Sequence, residues 1–105
     1  MLSLYKLKED VKTKWNIDVD VTLTTKVDKT IYGFVSIEHN IFVNANKFYT
    51  EESILGVIGH EIAHILSTGP EHDEGFTDKL FEVIEFFKSL YGVDVTSVLD
   101  KIEVK

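Results

Sequence analysis

Leu4, Leu7, Val11 and Trp15 recur at helical spacing, which predicts an amphipathic helix over residues 3 to 15 with one buried stripe. Ser3 is placed to cap it. From Asp18 the period drops to two. Val19, Val21 and Leu23 alternate with Asp20, Thr22 and Thr24, the signature of a strand with one wet face. Asp28-Lys29-Thr30 marks a turn into a second strand, Ile31 to Ile37, with Ile31, Val35 and Ile37 on one side and Tyr32 and Phe34 on the other. Glu38-His39-Asn40 reads as a hairpin loop into a third strand, Ile41 to Asn44.

The helical period then returns. Ile54, Leu55, Ile58, Ile62, Ile65 and Leu66 share one stripe across Glu51 to Ser67. Thr50 is the expected N-cap, Glu51 and Glu52 suit the positive first turn, and Tyr49 is positioned to staple onto Ile54. Gly69-Pro70 is a stop signal. A further amphipathic helix follows, with Phe76, Leu80, Val83, Ile84, Phe87 and Leu90 on its buried face and Gly92 at its end. Asp94 or Thr96 begins a last short helix through Ile102. The expected fold is α+β: an N-terminal helix, a small, mostly three-stranded sheet with a hairpin, a central helix, a downstream helix and a short C-terminal helix or tail. Residues 1–92 form the expected domain body, with 93–105 as its tail.

The central helix carries His60-Glu61-Ile62-Ala63-His64. Histidines four apart lie one turn above each other on one helix face, so their ring nitrogens can converge on one ion. Glu61 is rotated from His60 by about 100°, which directs its carboxylate beside the ion, where a base takes a proton from metal-activated water. Shuffling this composition produces H-E-x-x-H about once in a hundred tries, and the surrounding helix signals strengthen the match. Gly56 and Gly59 interrupt the same helix at about 1 kcal/mol each relative to alanine. Gly56 lies one turn before His60, where close packing of helix on sheet or the approach of a substrate would require it.

Catalytic zinc takes three protein ligands and a water. Candidates for the third are His72, Asp73, Asp78, Glu82 and Glu85. His72 stands just past the Gly-Pro break, where a ligand can fold back without bending the motif helix, and Phe76 would anchor the next helix in the core. Glu85 is the rival, since a downstream helical glutamate is the thermolysin-like arrangement. Asp73, Asp78 or a backbone carbonyl would hold the free N–H of a ligand imidazole. His39, far from the motif, is expected to be a solvated loop residue.

Composition narrows the chemistry. With 105 residues this is one small domain, and without cysteine any metal must be held by His and carboxylate. The net charge is −7 and all 11 basic residues are Lys. An acidic chain without Arg lacks the bidentate donor for phosphate and guanine, which argues against nucleic-acid binding. No apolar run approaches a membrane span, and the first ten residues lack a signal-peptide core, so a cytoplasmic protein is expected. Absent Cys and Gln and a single Met fit a thermophile.

H-E-I-A-H at 60–64, H-D-E-G-F at 72–76 and a chain near 100 residues resemble the minigluzincins, minimal zinc metallopeptidases of thermophilic prokaryotes. The resemblance covers residues 3 to 91. It implies His60, His64 and His72 as zinc ligands and Glu61 as general base. It also implies latency, with a C-terminal segment, here Val93 to Lys105, blocking the cleft within one chain or by exchange in a homodimer. Asp94, Asp100, Glu103 and the terminal carboxylate are then the groups able to approach the metal. The chain departs from the metzincin pattern at Ser67 and Pro70, and its His72-to-Phe76 step is similar to the SprT-like proteases, whose DNA-linked role the charge disfavours. The expected activity is zinc-dependent hydrolysis of a peptide or protein substrate held along a sheet edge near Tyr32 to Ile37, with Tyr32, Tyr49 and Tyr91 as candidate oxyanion donors. The competing class is a zinc-stabilised binding module, in which Glu61 would have no use.

Overall fold

A computed structural model describes residues 3–25, 33–35, 39–45, 50–67 and 74–96, with backbone alone for 33–35. The element order is α1 (Leu4–Trp15), β1 (Asp20–Thr24), β2 (Gly33–Val35), β3 (Asn40–Asn44), α2 (Glu51–Ser67) and α3 (Glu74–Tyr91). The fold is α+β, as the periodicities require. The turn at 28–30, residues 31–32 and 36–38, Tyr49, the Gly69-Pro70 stop and everything after Thr96 lie outside the described residues.

Local chemistry sets the helix ends. Ser3 Oγ accepts from the Lys6 N–H at 3.2 Å, and α1 closes on Asn16, whose φ of 57° is a left-handed conformation that asparagine tolerates. Thr50 caps α2: its Oγ1 accepts from the Ser53 N–H at 3.2 Å and its carbonyl from the Ile54 N–H at 2.9 Å. Gly92 ends α3 with φ 68°, its N–H donating to the Lys88 carbonyl at 3.0 Å.

The sheet has the order β1-β3-β2. β3 lies in the middle, parallel to β1 (Asp20 opposite Asn40) and antiparallel to β2 (Phe34 opposite Phe42). Ile41 and Val43 alternate into the core as central-strand residues, both fully buried. β1 departs from the expected alternation: Val19 is buried and Val21 half-buried, but Leu23 is 43 % exposed. Among the described residues β1 lies at an edge of the sheet, paired with β3 alone.

α2 occupies the centre, packing on α3 on one side and on β2 and β3 on the other. Residues 55 to 63 are consequently all buried, so a helix read as one-sided is enclosed almost all round. Gly59 makes the α2–α3 contact close: a Cβ there would lie 3.2 Å from both Val83 Cγ1 and a Phe87 ring carbon. Gly56 is also buried.

α3 presents Phe76, Leu80, Val83 and Phe87 inward. Leu90, expected on that face, is 52 % exposed. In the last turn the contact passes to α1, which takes Tyr91 instead; the Tyr91 hydroxyl donates to Asp10 at 2.8 Å. Trp15 secures the same interface, its indole N–H donating to Glu82 Oε1 at 2.9 Å and its ring 4.7 Å from that of Phe86. Beyond α3, Val93 is half-buried and Val95 fully buried in the same core.

Gly59→Ala is expected to destabilise the protein by about 1–2 kcal/mol, because overpacking against two fully buried side chains outweighs the gain in helix propensity. Urea unfolding of the variant would measure this. A more stable Gly59→Ala protein would contradict the close contact.

Candidate metal centre

The buried middle of α2 positions the motif. His60 is 9 % exposed, Glu61 7 % exposed and His64 half-buried. One helical turn brings the two imidazoles together, with ring centroids 4.8 Å apart and Nε2 atoms separated by 3.2 Å. Among the described residues His60, Glu61 and His64 are the one group of three donors that could hold a metal ion, their ligand atoms all within 4.8 Å of one another.

Donor chemistry and spacing fit a divalent ion. Nitrogens bound at about 2.0–2.1 Å in a tetrahedral shell stand about 3.3–3.4 Å apart, close to the 3.2 Å separation of the two Nε2 atoms. The same separation serves as a hydrogen bond when one ring donates and the other accepts.

Glu61 is the electrostatic feature of the site. Burial among apolar neighbours disfavours its charged form and pushes the carboxyl up to about 7 from its ordinary 4.5. Its Oε2 is buried and makes no hydrogen bond among the described residues. A cation beside it would favour the charged form and work against the desolvation.

Phe76 closes the site from α3. Its ring centroid lies 4.5 Å from that of His64 and 5.2 Å from that of His60, and the residue is 1 % exposed. The periodicity of α3 identified Phe76 as a core residue, but an apolar stripe carries no mark of which residues on the facing helix it will meet.

Other expected site residues are distributed differently. Glu82 accepts the Trp15 indole N–H and pairs with Lys79, and its carboxyl is held below the ordinary range chiefly by that hydrogen bond. Glu85 and Asp78 are exposed. None of the three joins the histidine pair. Tyr91, a candidate oxyanion donor, is excluded: its hydroxyl is committed to Asp10, and 15 residues of α3, about 22 Å of helix, separate it from Phe76. Burial and that hydrogen bond push its phenol well above the ordinary value. His39 sits half-buried with φ 59°, its carbonyl accepting from the Asp20 N–H at 3.1 Å, apart from the motif. Asp94 is exposed and accepts from both the N–H and the hydroxyl of Thr96, at 3.0 and 2.6 Å, which lowers its carboxyl. His72, Asp73, Tyr32, Tyr49, Asp100, Glu103 and the terminal carboxylate lie outside the described residues.

Neither a protein-family model nor a curated protein sequence matches this chain. One solved structure does. The fold is similar to that of a metallopeptidase zymogen. This neighbour, jannalysin of Methanocaldococcus jannaschii, superposes with a TM-score of 0.60 over 99 % of this chain and 93 % of that one, at 15 % sequence identity. The likeness is one of fold.

The raised Glu61 carboxyl has a consequence for stability without metal. The folded chain holds this proton up to about pH 7, whereas the unfolded chain releases it near 4.5. This group's contribution is therefore fully present below pH 4.5, declines as pH rises to about 7 and is flat above. The shift corresponds to about 3 kcal/mol. Urea unfolding in a chelator across this range should show Glu61→Gln gaining about that much relative to the parent chain. Parallel pH profiles would refute the desolvation.

Proposed function

We propose that this chain is a zinc-dependent endopeptidase of the minigluzincin type, with His60, His64 and His72 holding the metal and Glu61 moving the proton. The observation that carries the reading is a buried carboxylate, poised near neutrality, beside two imidazoles whose nitrogens are 3.2 Å apart. A structural metal site has no use for such a group; hydrolysis at neutral pH does.

Zinc bound there would supply Lewis-acid activation of water and of the scissile carbonyl. Glu61 then accepts the water's proton on a carboxylate oxygen and returns it to the leaving amine. Both transfers need a carboxyl whose proton is neither tightly held nor wholly lost at working pH. Enclosure of α2 keeps bulk water from competing for that proton.

Three observations support His72 over a carboxylate of α3. Glu82 is committed to Trp15, Glu85 is exposed, and Phe76, against both imidazoles, is only four residues from His72 in the chain. Four residues span at most about 14 Å, which keeps His72 within reach of the pair.

For the substrate, β2 is suited as a template. It pairs with β3 on one side and packs near α2, and among the described residues no strand pairs with its other edge. An extended peptide added to that edge would be held by main-chain hydrogen bonds beside the motif helix. The segment from 93 onward is the candidate inhibitor, in cis or by exchange between two copies. Among the described residues no helix is long and apolar enough to cross a membrane, which accords with a cytoplasmic enzyme.

The test combines metal analysis with cleavage of a quenched-peptide library, on the full chain and on a chain ending after Thr96, which retains the buried Val95. Glu61→Gln should keep one zinc per chain and lose about 10²–10⁴-fold in turnover. His72→Ala should lose zinc affinity, whereas Glu85→Ala should not. Zinc without cleavage in both forms would point instead to a metal-stabilised binding module.

A further inference from the structure

Two imidazoles on successive turns of a helix converge on one ion only in particular rotamers, and each ring can turn about its Cβ–Cγ bond. The usual restraint is a hydrogen bond to the second ring nitrogen. Here a different restraint is in view. Phe76 approaches His64 at a centroid distance of 4.5 Å with the rings inclined by 37°, and His60 at 5.2 Å with the rings inclined by 66°. Both distances fall in the range of favourable aromatic contact. Phe76 itself is fixed, being 1 % exposed and in the first turn of α3, which packs along α2.

We infer that Phe76 is a positioning residue for the metal pair: an apolar wall, supplied by the neighbouring helix, that holds the His60 and His64 rings in the orientation a metal requires.

A phenyl ring suits the task for three reasons. It carries no N–H or O–H donor, so it does not compete with the metal for a ring nitrogen's lone pair. It covers both imidazoles from the α3 side, so water on that side cannot bridge them. Its π face also favours the positive charge that the imidazoles acquire on donating to a cation. A side chain of equal hydrophobicity but no ring would fill the core and supply none of the ring-to-ring restraint.

The inference rests on the proposal that the pair binds metal, and the test separates the two. The full chain is stripped of metal and titrated with Co²⁺, read by visible absorption, for the parent protein, Phe76→Leu, Phe76→Met and Phe87→Leu. Phe87 is fully buried on the same helix and packs at Gly59, so its substitution reports a loss of core packing alone. Phe76→Leu and Phe76→Met should bind Co²⁺ about tenfold more weakly, the lower end for loss of a group that orients metal ligands. Phe87→Leu should cost as much in urea unfolding yet stay within about twofold of the parent in Co²⁺ affinity. NMR of the metal-free proteins supplies a second readout. The ring protons of His60 and His64 should lie upfield in the parent and in Phe87→Leu, and move to ordinary shifts in the Phe76 variants.

Equal weakening by Phe76→Leu and Phe87→Leu would overturn the inference, since stability alone would explain both. Unchanged Co²⁺ affinity in Phe76→Leu would overturn it too. A parent chain that takes up no Co²⁺ would overturn the metal reading and the role of Phe76 in it together, and so is distinct from the case in which parent and Phe76→Leu bind equally. If Phe76→Leu does not fold, Phe76→Met, closer in volume, decides the affinity comparison.

Discussion

The enclosure of α2 is the constraint from which the other features follow. A helix with α3 on one side and strands on the other has little surface left for water, and residues 55–63 are buried accordingly. In an apolar helix this would be simple core formation, each fully buried Leu or Ile contributing about 1.5–3 kcal/mol. Here the enclosed stretch also contains His60 and Glu61. Their desolvation opposes folding, and Leu55, Ile58 and Ile62, all fully buried beside them, offset it. The site is thus a polar defect sustained by the core around it.

Close helix packing makes that arrangement geometrically specific. Gly59, the residue before His60, removes the Cβ that would hold α3 away, and Val83 and Phe87 fill the space. The same approach brings Phe76, two to three turns earlier on α3, against the imidazoles. At the far end, Trp15 and Tyr91 tie α3 to α1 through hydrogen bonds to Glu82 and Asp10. α3 is therefore held at both ends by different partners, and its first turn is presented to the site as part of a supported helix.

Local signals were legible in the sequence where they were chemically self-contained. The Thr50 cap and the apolar period marked α2 as Glu51–Ser67, the span observed. Ser3, Gly92 and the α+β order followed in the same way. What could not be read depended on neighbours. Period alone places Leu23 and Leu90 on inward faces, but whether anything covers those faces is decided by the edge position of β1 and by α1 taking Tyr91 at the end of α3. Gly59 interrupts the helical period as a propensity cost, and nothing in that period says that it is there to admit Val83 and Phe87 of α3. The parallel pairing of β1 with β3 leaves no mark in a strand's own alternation. The His60-Glu61-His64 cluster was legible because its members lie within one turn; the contact with Phe76 was not, since it crosses between helices.

The acids of α3 bear on the donor set in the same physical terms. Phe76, Leu80, Val83 and Phe87 occupy its inward stripe, and helical period then turns Asp78, Glu82 and Glu85 to other faces. Moving a carboxylate from α3 into the site would require rotating the helix and withdrawing a buried aromatic from α2. Each such exchange would lose apolar burial and add a second acid beside Glu61. A second carboxylate would raise the cost of ionising Glu61 further and cancel part of a bound cation's charge. Neutral imidazole donors do neither. In the proposed site they would leave a bound cation's full field to act on one buried carboxyl, so that burial and metal charge would oppose each other in setting where Glu61 gives up its proton.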